Sequence, residues 1–229
     1  MEPVDNMRIK VTKNGPYIAS DLIPMRHEAI VADADGESRE WALEGRLDDR
    51  PKCALCRCGQ SGSKPMCDGS HLDAGFDGTE TADNEPYADR AVAIPGPTLT
   101  LHDVPALCAE ARFCHRAGGA WHLVESSAAG AAETVIEECA SCPSGRYTVT
   151  DTATGDPMEP RFAPSLVFVE DPQKDRSGPI WVRGGIQVES ADGKLYEVRN
   201  RVTLCRCGKS SEKPFCDGTH IECGFQAHE

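Results

Sequence analysis

The chain has 229 residues, 39% of them hydrophobic, with 21 glycines and 16 prolines. That is room for one large domain or two to three small ones, turn-rich and with modest cores. The formal net charge of −13 excludes the basic surface that nucleic acid or an anionic membrane requires, so neither is expected as a partner.

In chain order, the start from Met1 to Lys10 has no apolar h-region. No apolar run approaches the roughly 20 residues that span a bilayer. The chain therefore reads as cytoplasmic, and its twelve cysteines read as metal ligands rather than disulfides. Gly15-Pro16-Tyr17-Ile18-Ala19 predicts an extended apolar strand, Asp35-Gly36 a turn, and a second strand then leads to a cysteine-rich loop closing near Gly75-Phe76. This first unit spans residues 1–76. Residues 77–91 are polar without periodicity and predict a linker.

Residues 92–160 differ in character. A strand is expected from Thr98 to Val104, a helix from Pro105 to about His115, and a second helix over roughly Ala128–Ala140. Cys142-Pro143 then leads to a strand, Arg146 to Thr150, and Asp151 to Pro164 reads as a loop. Residues 161–229 repeat the beginning. Gly178-Pro179-Ile180-Trp181-Val182 corresponds to Gly15–Ala19, Asp192-Gly193 to Asp35-Gly36, and Gly224-Phe225 to Gly75-Phe76. Ile186 and Val188 alternate with polar residues, and Leu195 and Val198 follow the turn, as in a small antiparallel β element. The first copy carries 14 more residues than the second between its Gly-Pro and its C-x-C. The expected fold class is α+β and β-rich.

The strongest signal is the motif at the end of each copy. CRCGQSGSKPMCDGSH runs from Cys56 to His71, and CRCGKSSEKPFCDGTH from Cys205 to His220, agreeing at eleven of sixteen positions. Thiolates and a neutral imidazole suit both iron–sulfur clusters and zinc. Cys56 and Cys58 are one residue apart, so an extended loop aims both sulfurs at one metal. Cys67 and His71 are four apart and share a face of a helical turn. Asp68 is placed to cap that turn and Pro65 fixes the approach to it. One donor pair from a loop and one from a helix start can grip two irons, two ligands each. Structural zinc with the same four ligands stays open at this point.

The pattern C-x-C-x2-(S/T)-x3-P-x-C-D-G-(S/A/T)-H, matched at every specified position by both copies, resembles the signature of the CDGSH iron–sulfur domain family. The resemblance covers the two ends of the chain. It implies one 2Fe–2S cluster on Cys56, Cys58, Cys67 and His71, and another on Cys205, Cys207, Cys216 and His220. It also implies that Cys56 and Cys58 hold the inner iron, with Cys67 and His71 on the outer, solvent-near one. Simple members pair as homodimers that exchange a β-strand to form a β-cap. A chain holding both halves is expected to be a monomer with internal pseudo-two-fold symmetry, residues 15–76 packing on 178–225 and Ile18 and Trp181 in exchanged or neighbouring strands.

A histidine in place of a thiolate makes the site less negative, which raises the reduction potential. It also makes the site proton-sensitive. Lys64 and Lys213, kept in both copies, are either solvated or positive charges that tune the cluster. Cys53 aligns with Val202 and Cys223 with Ala74, so both read as non-ligands.

In the middle segment Cys108 and Cys114 form a C-x5-C, and Cys142-Pro143 follows 28 residues after Cys114. Ferredoxins of the 3Fe–4S kind show this order, and CAEARFC with CPSGR resembles the divergent mono-cluster 4Fe–4S domain, over about Leu101 to Val149. The compact C-x2-C-x2-C run of an ordinary ferredoxin is missing. The resemblance implies a ferredoxin-like insertion with a third cluster, 3Fe–4S or 4Fe–4S, on Cys108, Cys114 and Cys142, with Cys139 or His115 as a possible fourth ligand. The alternative is a set of buried apolar cysteines without metal. His27, His102, His122 and His228 show no ligand spacing with the cysteines.

No glycine-rich phosphate loop, GxSxG, HExxH or acid–base couple is present, so a stand-alone enzyme is not expected. The leading expectation is electron transfer or iron–sulfur cluster transfer, with a redox partner or an apo-protein acceptor. The alternatives are a redox or iron sensor, and an electron-feeding component of a larger oxidoreductase.

Overall fold

A computed structural model describes residues 1–4 and 6–227. Its strands, in chain order, are β1 (Arg8–Val11), β2 (Tyr17–Ser20), β3 (Met25–Ala32), β4 (Ser38–Arg46), β5 (Lys52–Leu55), β6 (Val92–Pro95), β7 (Leu99–Asp103), β8 (Tyr147–Asp151), β9 (Ser165–Asp171), β10 (Arg176–Arg183), β11 (Gln187–Glu189) and β12 (Arg201–Leu204). The α-helices are short: α1 (Tyr87–Arg90), α2 (Ala120–Leu123), α3 (Ala131–Ser141) and α4 (Thr219–Glu222). The fold is α+β and β-rich, in three sheets.

One sheet has the order β11-β1-β2-β5 and a second β12-β10-β9-β3-β4. In the repeat, β1, β2, β3 and β5 correspond to β9, β10, β11 and β12. The third strand of each copy thus lies in the other copy's sheet. There β3 runs parallel to β9, with His27 opposite Phe168, and β11 runs parallel to β1, with Val188 opposite Ile9. The exchanged strands are those after Ile18 and Trp181; Ile18 and Trp181 themselves lie in different sheets, on β2 and β10. The extra residues of the first copy build β4, a nine-residue strand with no counterpart in the second.

Alternation decides the packing. On β2, Tyr17 and Ala19 are buried while Ile18 and Ser20 are half-buried. The inward residues of both sheets meet in one core, including Ile9, Tyr17, Leu55, Phe168, Ile180 and Leu204. The outward faces differ. β9 and β12 are buried at every position and β10 at all but its first, whereas β1, β2 and β5 keep a partly exposed face. The middle segment packs on the second sheet, which carries strands of both copies. Arg201 donates to Ala140 O and Tyr147 O at 2.8 Å, and Trp41 Nε1, on β4, donates to Ser141 O at 3.0 Å.

The middle segment forms the third sheet, β6-β7-β8, with α3 packed on it. The expected strands and the second helix are present. The expected helix from Pro105 to His115 is instead two short 3₁₀ turns, Pro105–Leu107 and Phe113–Gly118. Glu110 and Arg112 take positive φ of 54° and 61°, which no continuing helix of L-residues tolerates. The expected linker, 77–91, lies along the second copy: Thr81 N and Ala82 N donate to Lys213 O, and Tyr196 OH donates to Glu80.

Candidate metal centres

Each C-x-C motif leaves a strand, β5 or β12, on a tight loop. Cys56 N donates to Pro65 O and Cys205 N to Pro214 O, both at 2.8 Å. Cys67 N donates to Ala54 O and Cys216 N to Thr203 O, both at 2.9 Å. These bonds fold the second half of the motif back on the first. Both Lys-Pro bonds, 64–65 and 213–214, are cis. The carboxylates of Asp68 and Asp217 brace the turns. Asp68 accepts from Gly62 N and Ser70 N, and Asp217 from Ser211 N and Thr219 N. The Ser70 hydroxyl and these backbone donors hold Asp68 well below the usual carboxylate range, and, against its burial, the Thr219 hydroxyl with its backbone donors holds Asp217 down at about 2.

The donors come in two pairs per copy. Cys56 Sγ and Cys58 Sγ are 3.8 Å apart, as are Cys205 Sγ and Cys207 Sγ. Cys67 Sγ lies 3.5 Å from His71 Nδ1, and Cys216 Sγ 3.4 Å from His220 Nδ1. So Nδ1 is the imidazole atom turned to the site. Among the described residues no three Cys, His, Asp or Glu side chains gather around a single ion position. Two pairs of soft donors in each copy are a donor set that suits an iron–sulfur group.

The two loops touch. A Cβ on Gly59 would come within 2.6 Å of Cys207 O, and one on Gly208 within 2.5 Å of Cys58 O. Both glycines have φ of +77°. Only glycine permits that backbone approach at that φ. The arginine inside each C-x-C is buried. Arg57 donates to Thr12 O and Gly78 O and lies 5.5 Å from the ring centres of Tyr17 and Phe76. Arg206 pairs with Glu170 at 2.9 Å and sits over Phe168 and Phe225. Neither arginine was singled out from the sequence, although its identity in both copies was a signal. Tyr17 was not marked as a site residue either, and had none: its counterpart is Ile180. Its hydroxyl lies 2.9 Å from Cys205 O and 3.0 Å from Pro214 O, so the first copy supports the second copy's ligand loop.

The surroundings of the two sites differ. Cys216 and His220 are 3% and 4% exposed, whereas Cys67 and His71 are half-buried. Burial pushes His220 down to about 4, against the opposing pull of Asp171, Glu110 and Asp217, and so favours the neutral, ligating imidazole. Burial raises Cys58 to about 11 and Cys216 well above the usual thiol value. Buried thiols of this kind are readily ionised by a metal and poorly ionised without one. Cys205 is held below the usual thiol value by a hydrogen bond from Cys207, with Lys213 adding a smaller favourable field. Lys213 Nζ donates to Ser210 O at 2.7 Å, which holds its charge beside the second site. Lys64 is half-buried on the matching turn of the first copy.

In the middle segment, Cys108, Cys114 and Cys142 line one small cavity of about 20 Å³ with Glu110, Arg146 and Tyr147. Cys139 does not line it. Its side chain is 2% exposed in the core with Leu99, Val135 and Val149. His115 stacks edge-on against Trp121, ring centres 5.7 Å apart. Glu110, overlooked in the sequence, is the one other metal-ligating side chain in the cavity wall. Burial raises Cys114 to about 12. Cys53 packs near Met25 at 3.9 Å and Cys223 is exposed, neither of them in a donor pair. His102 bonds Thr150 at 3.1 Å, His122 packs on Trp121, and His27 packs on Phe168. His228 lies outside the described residues. No helix among the described residues is long and apolar enough to cross a membrane.

Comparison with protein families gives three matches. Residues 14–72 and 177–221 each match the family described as iron-binding zinc finger CDGSH type. Residues 94–152 match the divergent 4Fe-4S mono-cluster. Searches of curated proteins and of solved structures find no match.

Proposed function

From a chain that carries two CDGSH-type iron-binding regions around a divergent 4Fe–4S mono-cluster region, we propose that each Cys3His set holds one 2Fe–2S cluster and that the protein carries electrons or clusters for a partner. The observation that carries this reading is the pairing of donors, Sγ with Sγ at 3.8 Å and Sγ with Nδ1 at 3.4–3.5 Å, repeated in both copies. When bound, such a cluster supplies a one-electron couple and a unit that moves by ligand exchange.

The residues do the rest. Arg57, Arg206, Asp68 and Asp217 hold the ligand loops in shape before metal arrives. His71 and His220 make each site less negative than four thiolates would and so raise its potential. They also make it proton-sensitive, since a protonated imidazole cannot ligate. The cavity of Cys108, Cys114 and Cys142 takes a third cluster of the 3Fe–4S or 4Fe–4S kind. The two copies act as halves of an internal pseudo-dimer with a β-cap, supported by the reciprocal exchange of β3 and β11. The chain is then a monomer, and light scattering on the holoprotein tests that.

Counting iron and acid-labile sulfide on anaerobically purified protein, with visible and EPR spectra, tests the reading. About four of each per chain is the expectation for the two Cys3His sites alone, and about seven or eight irons with the middle site loaded. Zinc with no sulfide overturns it.

A further inference from the structure

The two Cys3His sites have identical donors and opposite settings. Beside the first, Gly69 (φ +95°) has no atom within 4 Å of the position its Cβ would take. Beside the second, a Cβ on the corresponding Gly218 would come within 2.6 Å of Glu110 Cγ and 3.5 Å of Cys108 O. The middle segment therefore lies directly on the turn between Cys216 and His220. Leu72, next to His71, is 77% exposed, while its counterpart Ile221 is half-buried.

The cover is anchored. Arg112 Nη1 and Nη2 grip the two carboxylate oxygens of Asp171 at 2.8 and 3.1 Å, and Asp171 is 2% exposed at the end of β9. Arg112 Nη1 also binds Glu110 O at 2.9 Å. Glu110 and Arg112 both hold left-handed φ, a conformation that non-glycine residues keep only where neighbours enforce it. The same Glu110 reaches back to Cys108, its Oε1 accepting from Cys108 Sγ at 3.3 Å. The segment 108–112 is thus a wall shared by the three-cysteine cavity and the second Cys3His site. Gly218 N completes it from the inside, donating to Cys216 Sγ at 3.4 Å.

Resting on the cluster-binding reading above, we propose that the two sites divide the labour: the first is the exchange site, where a cluster is handed to a thiol-bearing acceptor, and the second is a retained site sealed by residues 108–112. At the first site, His71 and Cys67 let go first and acceptor thiolates replace them on the metal. Each acceptor thiol that binds gives up one proton; Cys67, Cys56 and Cys58 take up three of the four as they are released, and the fourth goes to the freed His71 imidazole or to water. No electrons change hands. At the second site the same exchange first requires residues 108–112 to open locally, which costs free energy and slows every incoming ligand.

The test is an anaerobic chase of the fully loaded chain with EDTA at fixed neutral pH. Native mass spectrometry counts retained clusters, and absorbance follows the rate. The expected result is two phases for the 2Fe–2S units, the slower by about tenfold or more, with a species retaining one unit at intermediate times. His71→Cys should alter the fast phase alone and His220→Cys the slow phase alone, which assigns each phase without relying on a disrupted cover. Glu110→Ala should speed the slow phase and leave the fast one unchanged. A single phase for both units, or a fast phase that moves with His220→Cys, overturns the proposal and leaves cluster binding intact. Failure of both Cys3His sets to load iron and sulfide at all would instead remove the reading beneath it.

Discussion

The first and second copies are the same metal-binding instrument in two housings. Their motifs share the C-x-C sulfur separations, the cis Lys-Pro bonds and the aspartate braces, and differ in that only the second continues into a helix, α4. Yet the strands of one copy keep an exposed face and those of the other are buried almost throughout. The difference teaches that donor chemistry is local, set by sixteen residues, whereas access is decided by what lies on top. The middle segment packs on Ile30 and Trp41 of the first copy as well as on the second, but the ligand turn it lies against is that of Gly218, not that of Gly69.

The comparison breaks most severely where the copies touch. Gly59→Val and Gly208→Val each force a side chain into the opposite loop's backbone at a positive φ, and each should cost on the order of 3 kcal/mol in chemical denaturation. The two effects should be nearly equal, since the contact is reciprocal. A large inequality would mean that the two loops do not depend equally on their contact.

The next largest effect concerns the cover. Glu138, 0% exposed on α3, is raised by burial from the ordinary 4.5 to about 7, only partly offset by Arg116. A carboxyl raised in the folded state binds its proton more tightly there than in the unfolded chain. Its contribution is therefore fully present below about pH 4.5 and is lost as pH rises through 7. Thermal stability should fall over that window by up to about 3 kcal/mol, and Glu138→Gln should flatten the dependence. An unchanged pH profile in the variant would sink this assignment.

A smaller effect sharpens the crossing between copies. Tyr17→Phe removes a buried hydroxyl shared by two carbonyls and should cost about 1–2 kcal/mol. Its spectroscopic consequence should appear at the second site, although Tyr17 belongs to the first copy. The smallest effect separates the lysines. Lys213→Ala removes a positive charge held beside Cys205 and should lower the second site's potential, while Lys64→Ala should shift the first site less, as protein-film voltammetry would resolve.

Much of the site was legible in the chain. The C-x-C spacing predicted sulfurs side by side on a loop, and they lie so; Cys67 and His71 also pair, but not along the expected helical face, because Gly69 and Gly218 take positive φ between the two donors and a helix forms only in the second copy, from Thr219. Cys108, Cys114 and Cys142 line one cavity. Cys139 does not join them, because it falls on the buried face of α3 with Val135, where a core of apolar partners holds it. The helix expected after Pro105 was misread because its apolar pattern serves the cavity wall rather than a helix face, and left-handed residues at 110 and 112 interrupt it. Nothing in the composition of Glu110 or Tyr17 marked either as a neighbour of the second site, since both reach it from more than ninety residues away.

By itself, then, the sequence determined the two Cys3His sets, the closeness of their members and their duplication, because those depend on spacings of one to four residues. Tertiary structure alone decided which strands change sheets and which of two equal sites lies beneath the middle segment. Those outcomes depend on burying complementary faces of distant segments, and a repeat that is symmetric in its motifs carries no mark of an asymmetric cover.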